Sequence, residues 1–163
     1  MHHSQKSETN KLLGYPADAR LLIINADDFG MCHATNAAIF RSITEGVVCS
    51  TTLMVPCPWA LHAMHLLVAH PEIPFGVHLT VLSDGAEYRW GPLTPRDKVP
   101  SLLDETGYFY RFDRMPEFLA QIRLDEVNWN SERRSKPCWQ PSSSQPIWIG
   151  MLYASPCGLT SST

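Results

Sequence analysis

The sequence predicts an α/β protein built on a parallel sheet, and three observations support that prediction. Short apolar segments end in polar turns, and segments of helical periodicity follow them. Across residues 21–81 the order of these segments is β-α-β-α-β, which is typical of parallel strands joined by crossover helices. The chain has 163 residues, of which 44% are hydrophobic and 18% are charged, so a single domain with one core is expected.

The first predicted elements are two strands joined by a helix. Residues 21–24 are a continuous apolar run (LLII), which is typical of a strand covered on both faces in a parallel sheet. Residues 34–45 place alanine and isoleucine near helical spacing, and Gly46 ends that helix. Residues 47–55 are rich in β-branched side chains and end at Pro56, which predicts a second strand.

The alternation of predicted strands and helices continues to residue 81 and is less regular beyond it. Residues 59–69 predict a second helix, and residues 75–81 (FGVHLTV) have the composition of a third strand. Residues 83–103 contain several glycines and prolines and predict a long loop, a class of segment that is often functional. Residues 108–110 predict a short strand or a packed loop, and residues 115–127 predict a further helix.

The two ends of the chain differ from this middle part. Residues 1–19 are polar and are expected to form a disordered arm. Residues 20–127 carry the regular pattern and are expected to form the folded part. Residues 128–163 are an irregular tail, in which Trp, Ser and Pro recur without a period and no helical or strand pattern is sustained.

Composition argues against several classes of partner. The net charge of −3 and the pI of about 6.1 disfavour a phosphate-binding surface, so nucleic acid is not expected as a partner. No apolar run approaches the ~20 residues that a membrane span requires. The polar N-terminal segment lacks a secretory apolar stretch, so a cytoplasmic location is expected. The five cysteines contain no C-x-x-C pair, which indicates small reduced hydrophobes.

Adjacent carboxylates are the strongest local signal for chemistry. Asp27 and Asp28 directly follow the first apolar run, and the carboxyl ends of parallel strands are where α/β proteins place their sites. Two neighbouring anions repel, so they need a cation, a shared proton or extensive hydrogen bonding. Solvated turn residues that cap the next helix are the alternative interpretation.

His78 lies inside the third predicted strand, where its side chain could converge with Asp28 on one metal ion. Imidazole with carboxylate suits Zn, Mn, Ni or Fe, whereas a carboxylate-rich, hydrated sphere suits Mg. A satisfied core imidazole is the alternative for His78. His33 follows the carboxylate turn and is a further candidate to line the pocket.

These residues resemble a known family. INADDFG at 24–30, EGVV at 45–48, STTLMV at 50–55 and GVHLT at 76–80 are similar to the YdjC-like carbohydrate deacetylases, the family of the chitooligosaccharide deacetylases. The similarity covers residues 20–127 in consistent order and spacing.

The resemblance implies a distorted (β/α) barrel that removes acetyl groups from N-acetylated sugars or oligosaccharides with a divalent metal. Mg is the first expectation, with Zn or Ni as alternatives. Carried over by motif, Asp28 is implied as the metal-binding aspartate, Asp27 as the catalytic base and His78 as the first ligand histidine. Trp90, in the loop at 83–103, could stack on a sugar face, although packing explains it equally well.

The chain also departs from the family pattern. The family carries a second ligand histidine in a later Thr-His-x-Asp-Ser-His segment, and no histidine follows His78 here. A whole barrel typically needs ~250 residues, so an incomplete N-terminal portion is expected. A non-catalytic truncated fragment that binds metal or sugar weakly or not at all is therefore the alternative to an active deacetylase. An unpaired sheet edge would favour association, which leaves a homo-oligomer as an alternative to a monomer.

The tail fits a hypothesis about its reading frame. Read one nucleotide earlier, residues 128–150 permit an amphipathic helix that continues from residue 127, followed by Pro-Thr-His-Leu-Asp-Arg-His. The tail would then be a frame-shifted translation, and a genuine divergent tail is the alternative. Nucleotide sequencing across residues 125–155 distinguishes the two.

Overall fold

A computed structural model describes residues 8–135 of the chain. Its order of elements from the first strand to the third is the predicted β-α-β-α-β, so the prediction of an α/β fold is confirmed. The helices and strands are α1 (Glu8–Leu12), β1 (Asn25–Phe29), α2 (His33–Thr44), β2 (Ser50–Leu53), α3 (Ala60–Ala69), β3 (Phe75–Val77), α4 (Met115–Gln121) and α5 (Leu124–Ser135).

The three strands form one parallel sheet in the order β1-β2-β3. Thr51 at the centre of the sheet pairs with Ala26 on one side and with Phe75 on the other. Parallel pairing places the carboxyl ends of all three strands at the same edge. The strands described here form an open sheet, so the closed barrel stays an expectation.

One apolar core lies between the sheet and the helices α2 and α3. Phe29 and Leu53 point from the strands toward Ile39 of α2 and Leu67 of α3, and all four side chains are buried. Burial of a large apolar side chain stabilises the fold by about 1.5–3 kcal/mol, so this layer holds both crossover helices against the sheet. The opposite face of the sheet carries polar side chains and lies open.

The predicted strand at residues 21–24 is wrong in position, because β1 begins at Asn25. Leu21, Leu22 and Ile23 are exposed, Leu22 to 78%. Burial of an apolar run on both faces needs a layer on each side. Among the described residues, helices cover only one face of the sheet. The other strands lie inside their predicted ranges and are shorter, with β2 at Ser50–Leu53 and β3 at Phe75–Val77.

The predicted loop at residues 83–103 is a packed part of the structure. It contains two short 3-10 helices, Arg96–Lys98 and Pro100–Leu102. A second apolar cluster forms around it from Met54, Cys57, Trp90, Val99, Leu102, Phe109, Tyr110 and Phe118. Of the two alternatives for residues 108–110, the packed loop is the one observed, with isolated bridges in place of a strand.

The helix predicted at residues 115–127 is divided into α4 and α5. Ile122 leaves the helical conformation at ψ 135°, and the next amide, of Arg123, donates to the Ser101 hydroxyl at 3.0 Å. The buried Glu126 carboxylate accepts hydrogen bonds from the Ser101 amide and hydroxyl, both at 2.8 Å. The break therefore ties the two helices to the packed loop.

The helix α5 also crosses the predicted start of the tail. Residues 128–135 are helical, so the expectation of no sustained helical pattern is wrong for them. The fully buried Asn130 accepts a hydrogen bond from the Leu93 amide at 3.2 Å, which anchors α5 to the packed loop. Residues 136–163, and with them most of the frame-shift hypothesis, lie outside the described residues.

The expected disordered arm at residues 1–19 contains the short helix α1. The Asn10 amide group donates to the Ala19 carbonyl at 2.8 Å, which folds this segment back on itself. Residues 1–7 lie outside the described part. Across residues 8–135, no helix combines the length and the apolar character needed to cross a membrane.

Candidate active site

A bulge in β1 positions the two adjacent carboxylates. Ala26 pairs with Thr51 and Phe29 pairs with Leu53, so three steps along β1 match two steps along β2. Within this bulge Asp28 has a φ of 71°, in the left-handed region that Asp tolerates better than most residues. A bulge redirects the side chains beside it. Neighbouring carboxylates that would otherwise point to opposite faces therefore both reach the carboxyl-end edge of the sheet.

Asp27 is held by polar neighbours on the open face of the sheet. Its Oδ1 atom accepts hydrogen bonds from the Asn25 amide group at 2.6 Å and from the Thr52 hydroxyl at 2.7 Å. The Ser50 hydroxyl in turn donates to Asn25 Oδ1 at 2.6 Å. These four side chains alternate along β1 and β2, so the strand period places them on one face. The chain of hydrogen bonds fixes the direction of the Asp27 carboxylate.

Asp28 faces His78, with Asp28 Oδ1 and His78 Nδ1 3.3 Å apart. Burial raises the pKa of Asp28 above its ordinary value, and the negative charges of Asp84 and Asp27 add to that rise, whereas His78 opposes it. The His78 amide donates to the Leu53 carbonyl at 3.0 Å, which fixes the histidine backbone at the end of β2. The ionised form of Asp28 is therefore one that a bound cation would stabilise.

The geometry of Asp28 and His78 fits a shared metal ion. Two ligands ~2.1 Å from one metal and about 90–110° apart lie ~3.0–3.4 Å from each other, and the observed separation is 3.3 Å. Carboxylate oxygen with imidazole nitrogen is also a donor pair that divalent metals accept. In residues 8–135, no cluster of three or more His, Cys, Asp or Glu side chains converges in this way.

Gly30 allows α3 to begin close to the carboxylates. It has a φ of +102°, and a Cβ there would lie 3.1 Å from Ala60 Cα and 3.2 Å from the Met54 carbonyl oxygen. Its amide donates to Oδ1 of the buried Asn36 at 2.6 Å. Both the backbone conformation and the close approach require glycine at this position.

The two candidate substrate residues have different surroundings. Trp90 is only 2% exposed and lies in the second apolar cluster. The suggestion that it stacks on a sugar is therefore corrected, and its packing interpretation is the one that the structure supports. His33 is exposed, and its ring contacts those of Trp59 at 5.0 Å and His62 at 5.5 Å between centroids.

Sequence reasoning missed two residues of this region. Thr52 donates to Asp27, and its hydroxyl oxygen also lies 3.4 Å from His78 Nδ1. Trp59 is exposed at the start of α3. A signal existed for both. Thr52 occupies the same alternating face as Ser50, and Trp59 follows the carboxyl end of β2 by a short turn.

Comparison with known proteins identifies the family to which the region carrying these residues belongs. A family model described as YdjC-like protein matches residues 21–132. The chain belongs to the YdjC-like family. The matched segment contains β1, β2, β3 and the residues Asp27, Asp28 and His78, so the candidate site lies wholly inside the YdjC-like region.

Relatives within the YdjC-like group are similar over about two thirds of the chain. A carbohydrate deacetylase of Enterococcus faecalis is 40% identical over 114 residues, which are 68% of this chain and 41% of that protein. A chitooligosaccharide deacetylase of Yersinia enterocolitica is 36% identical over 108 residues, which are 66% of this chain and 39% of that protein. The chain thus spans about two fifths of the length of these relatives.

A solved structure has a similar fold over 69% of the chain. It is an Enterococcus faecalis protein named for the cleavage of cellobiose phosphate, with a TM-score of 0.61 and 37% sequence identity. The similarity covers 69% of this chain and 41% of that one. The YdjC-like fold is therefore common to the two proteins over this portion.

Proposed function

We propose that this YdjC-like chain contributes the carboxylate and histidine site of a metal-dependent deacetylase that acts on N-acetylated carbohydrates. The observation that carries the proposal is the bulge in β1: Asp27 accepts a hydrogen bond from Thr52, Asp28 faces His78, and the Thr52 hydroxyl lies 3.4 Å from His78 Nδ1. The names of the relatives support the substrate class, since they are carbohydrate and chitooligosaccharide deacetylases.

Asp28 and His78 are the residues that would hold the metal. Mg²⁺ is the first candidate because of the neighbouring carboxylates, and Zn²⁺ or Ni²⁺ are the alternatives because of the imidazole. A divalent metal bound there would polarise the acetyl carbonyl and lower the pKa of its bound water toward neutrality.

Asp27 would act as the general base. Its Oδ1 atom is occupied by the donors of Asn25 and Thr52, so the carboxylate is held in one direction before substrate arrives. In that position it would take a proton from the attacking water, and later pass it to the sugar's amine nitrogen as the bond between that nitrogen and the acetyl carbon breaks. The products of the step are acetate and the free amino sugar.

The same proposal includes a (β/α) barrel as the fold of the complete enzyme. In a (β/α) barrel the helices cover the outer face of the strands, and catalytic side chains gather at the carboxyl ends. The described sheet has this arrangement, with α2 and α3 on one face and the candidate site at the carboxyl edge. We therefore place the chain in the N-terminal part of a distorted (β/α) barrel, in a cytoplasmic protein.

A non-catalytic chain that binds metal or sugar weakly is the second candidate. Catalytic zinc sites normally use three protein ligands, whereas Asp28 and His78 are the two that converge within residues 8–135. A metal held by two protein groups would exchange easily and would position water poorly. The two candidates therefore differ in turnover more than in what they bind.

Acetate release from N-acetylglucosamine oligomers by the purified full chain distinguishes these candidates. With added Mg²⁺, Zn²⁺ or Ni²⁺, the deacetylase is expected to release acetate above a blank that contains only the metal. Asp27→Asn is expected to lower that rate by about 10²–10⁴-fold, the usual effect of losing a general base. Asp97→Asn is the matched control, because Asp97 is 73% exposed and lies in the packed loop. No release above the blank would support the non-catalytic candidate.

A further inference from the structure

Three rings form a partly exposed cluster where α2 and α3 begin. Trp59, His33 and His62, here called the ring cluster, contact one another with centroid distances of 5.0, 5.5 and 5.6 Å. Trp59 is 40% exposed, and His33 is exposed as well. The cluster is therefore a surface feature and not part of either apolar core.

Main-chain hydrogen bonds fix the ring cluster to the end of β1. The Trp59 amide donates to the Gly30 carbonyl at 3.1 Å, and the Trp59 carbonyl accepts from the Asn36 amide group at 3.1 Å. Gly30 is only two residues beyond Asp28. Since both contacts hold the backbone of Trp59, the start of α3 is fixed beside the segment that carries the carboxylates.

The hydrogen bonds of the buried Asn36 side chain determine which ring nitrogen of His62 carries the proton. Asn36 Oδ1 accepts from the Gly30 amide, so its Nδ2 group is the donor to both Trp59 and His62. The distance from Asn36 Nδ2 to His62 Nδ1 is 3.0 Å. His62 Nδ1 must therefore be the acceptor, which places the ring proton of His62 on Nε2. The ring cluster thus combines an aromatic surface with an N–H donor.

Helix formation does not explain Trp59. It occupies the N-cap of α3, and its side chain makes no capping hydrogen bond there. Ser, Thr, Asp or Asn at an N-cap would stabilise the helix by about 1 kcal/mol more than a side chain that cannot accept a hydrogen bond. The position therefore carries a large exposed ring where a smaller polar side chain would serve the fold better.

We propose that the ring cluster is a sugar-binding subsite next to Asp28 and His78, which takes one pyranose ring of an oligosaccharide. The face of a pyranose presents C–H groups with partial positive charge, which suits the negative face of the indole ring of Trp59. The hydroxyl groups at its rim can pair with the imidazole groups of His33 and His62. The choice of a carbohydrate as ligand rests on the proposed function.

Binding of N-acetylglucosamine tetrasaccharide tests this subsite without any need for turnover. Calorimetric titration of the full chain in the presence of Mg²⁺ is expected to show that Trp59→Ala raises the Kd about tenfold, the size of one lost ring contact. Trp59→Phe keeps an aromatic face and is expected to raise the Kd by less than about threefold. Trp129→Ala is the matched control, because Trp129 is 49% exposed and lies on α5.

Each outcome of that titration has a defined meaning. An unchanged Kd in Trp59→Ala overturns the subsite, and so does a wild-type chain that binds no tetrasaccharide. Binding that depends on Trp59, together with no acetate release, supports the subsite while the proposed deacetylation fails. Urea unfolding of each variant separates loss of binding from loss of folding. If Trp59→Ala does not fold, His33→Ala tests the same ring cluster at an exposed position, and an unchanged Kd there also overturns the subsite.

Discussion

Asp28 Oδ1 lies 3.3 Å from His78 Nδ1, although Asp28 belongs to β1 and His78 directly follows β3, the two outer strands of the sheet. Neighbouring strands are about 4.8 Å apart, so β1 and the end of β3 are separated by roughly twice that distance across β2. The two side chains meet above β2, where the Thr52 hydroxyl lies 3.4 Å from the same His78 nitrogen. The site thus depends on three strands and on the bulge that directs Asp28.

Asp28→Asn is the sharpest test of a metal at this position. Asn tolerates the left-handed backbone as well as Asp does, so the change removes a charge at little conformational cost. We expect the affinity for Mg²⁺, Zn²⁺ or Ni²⁺ to fall at least about tenfold in calorimetric titration. Asp97→Asn is the control, with no change expected. Equal affinities of Asp28→Asn and the wild-type chain would contradict a metal on Asp28.

The location of this site could be predicted from the sequence, but its construction could not. An apolar run followed by two carboxylates predicts a site at the carboxyl end of a parallel strand, and the two candidate carboxylates lie within β1, which begins after that run. The bulge depends on how β1 and β2 pair, and Thr52 enters the site only through that pairing. Pairing between strands is a long-range property that no local pattern contains.

The predicted burial of Leu22 and the suggested exposure of Trp90 are wrong for a related reason. Hydrophobicity predicts that a residue gains from burial, but it does not say which residues find a covering layer. Leu22 is therefore exposed where a buried strand was expected, and Trp90 is buried where a surface ring was considered. The exposed ring is Trp59, for which helical periodicity predicts only a place at the start of a helix.

Gly30→Ala is expected to destabilise the fold by about 2–4 kcal/mol. The added Cβ would meet Ala60 Cα at 3.1 Å, and the φ of +102° is itself unfavourable for alanine. Gly85→Ala is the matched control, since a Cβ there meets no atom within 4 Å, and we expect a change within about 0.5 kcal/mol. Urea unfolding followed by circular dichroism measures both. Similar unfolding free energies for the two variants would show that α3 does not need the close approach at Gly30.

Asp104 is a buried carboxylate directly after the packed loop, with a side chain only 1% exposed. Burial by itself would raise the pKa of Asp104, but hydrogen bonds from Thr106 and Arg89 outweigh it and hold the pKa below its ordinary value. Loss of one partner of a buried ion pair typically costs about 3–5 kcal/mol. Asp104→Asn is therefore expected to lower the unfolding free energy by about 3–5 kcal/mol at pH 7. Urea titration measures this change, and Asp97→Asn is the control.

The pH dependence of that variant follows from the sign of the pKa shift. A carboxylate with a lowered pKa in the folded state stabilises the fold fully above its unfolded pKa of about 3.9, and this contribution is lost as the pH falls through the folded pKa. The wild-type chain is expected to lose stability below about pH 4, whereas Asp104→Asn loses less over the same range. Parallel stability curves from pH 7 to pH 3 would contradict this role for Asp104.

Cys32 is expected to react faster with iodoacetamide than the other cysteines in the described part of the chain. It occupies the N-cap of α2, where its sulfur lies 3.1 Å from the Thr35 hydroxyl and accepts from the Thr35 amide at 3.4 Å. These hydrogen bonds, the hydroxyl first, lower the pKa of Cys32 below its ordinary value and favour the reactive thiolate.

The alkylation rate of Cys32 as a function of pH, measured by peptide mass spectrometry, tests this effect directly. The midpoint is expected below the value of about 8.5 that is usual for cysteine, because the thiolate forms at lower pH. Thr35→Val removes the hydroxyl and should move that midpoint upward, whereas Thr44→Val, a change on the same helix, should leave it in place. The buried Cys57 serves as the slow internal reference. A midpoint that is the same in Thr35→Val and in the wild-type chain would show that the thiolate does not depend on the Thr35 hydroxyl.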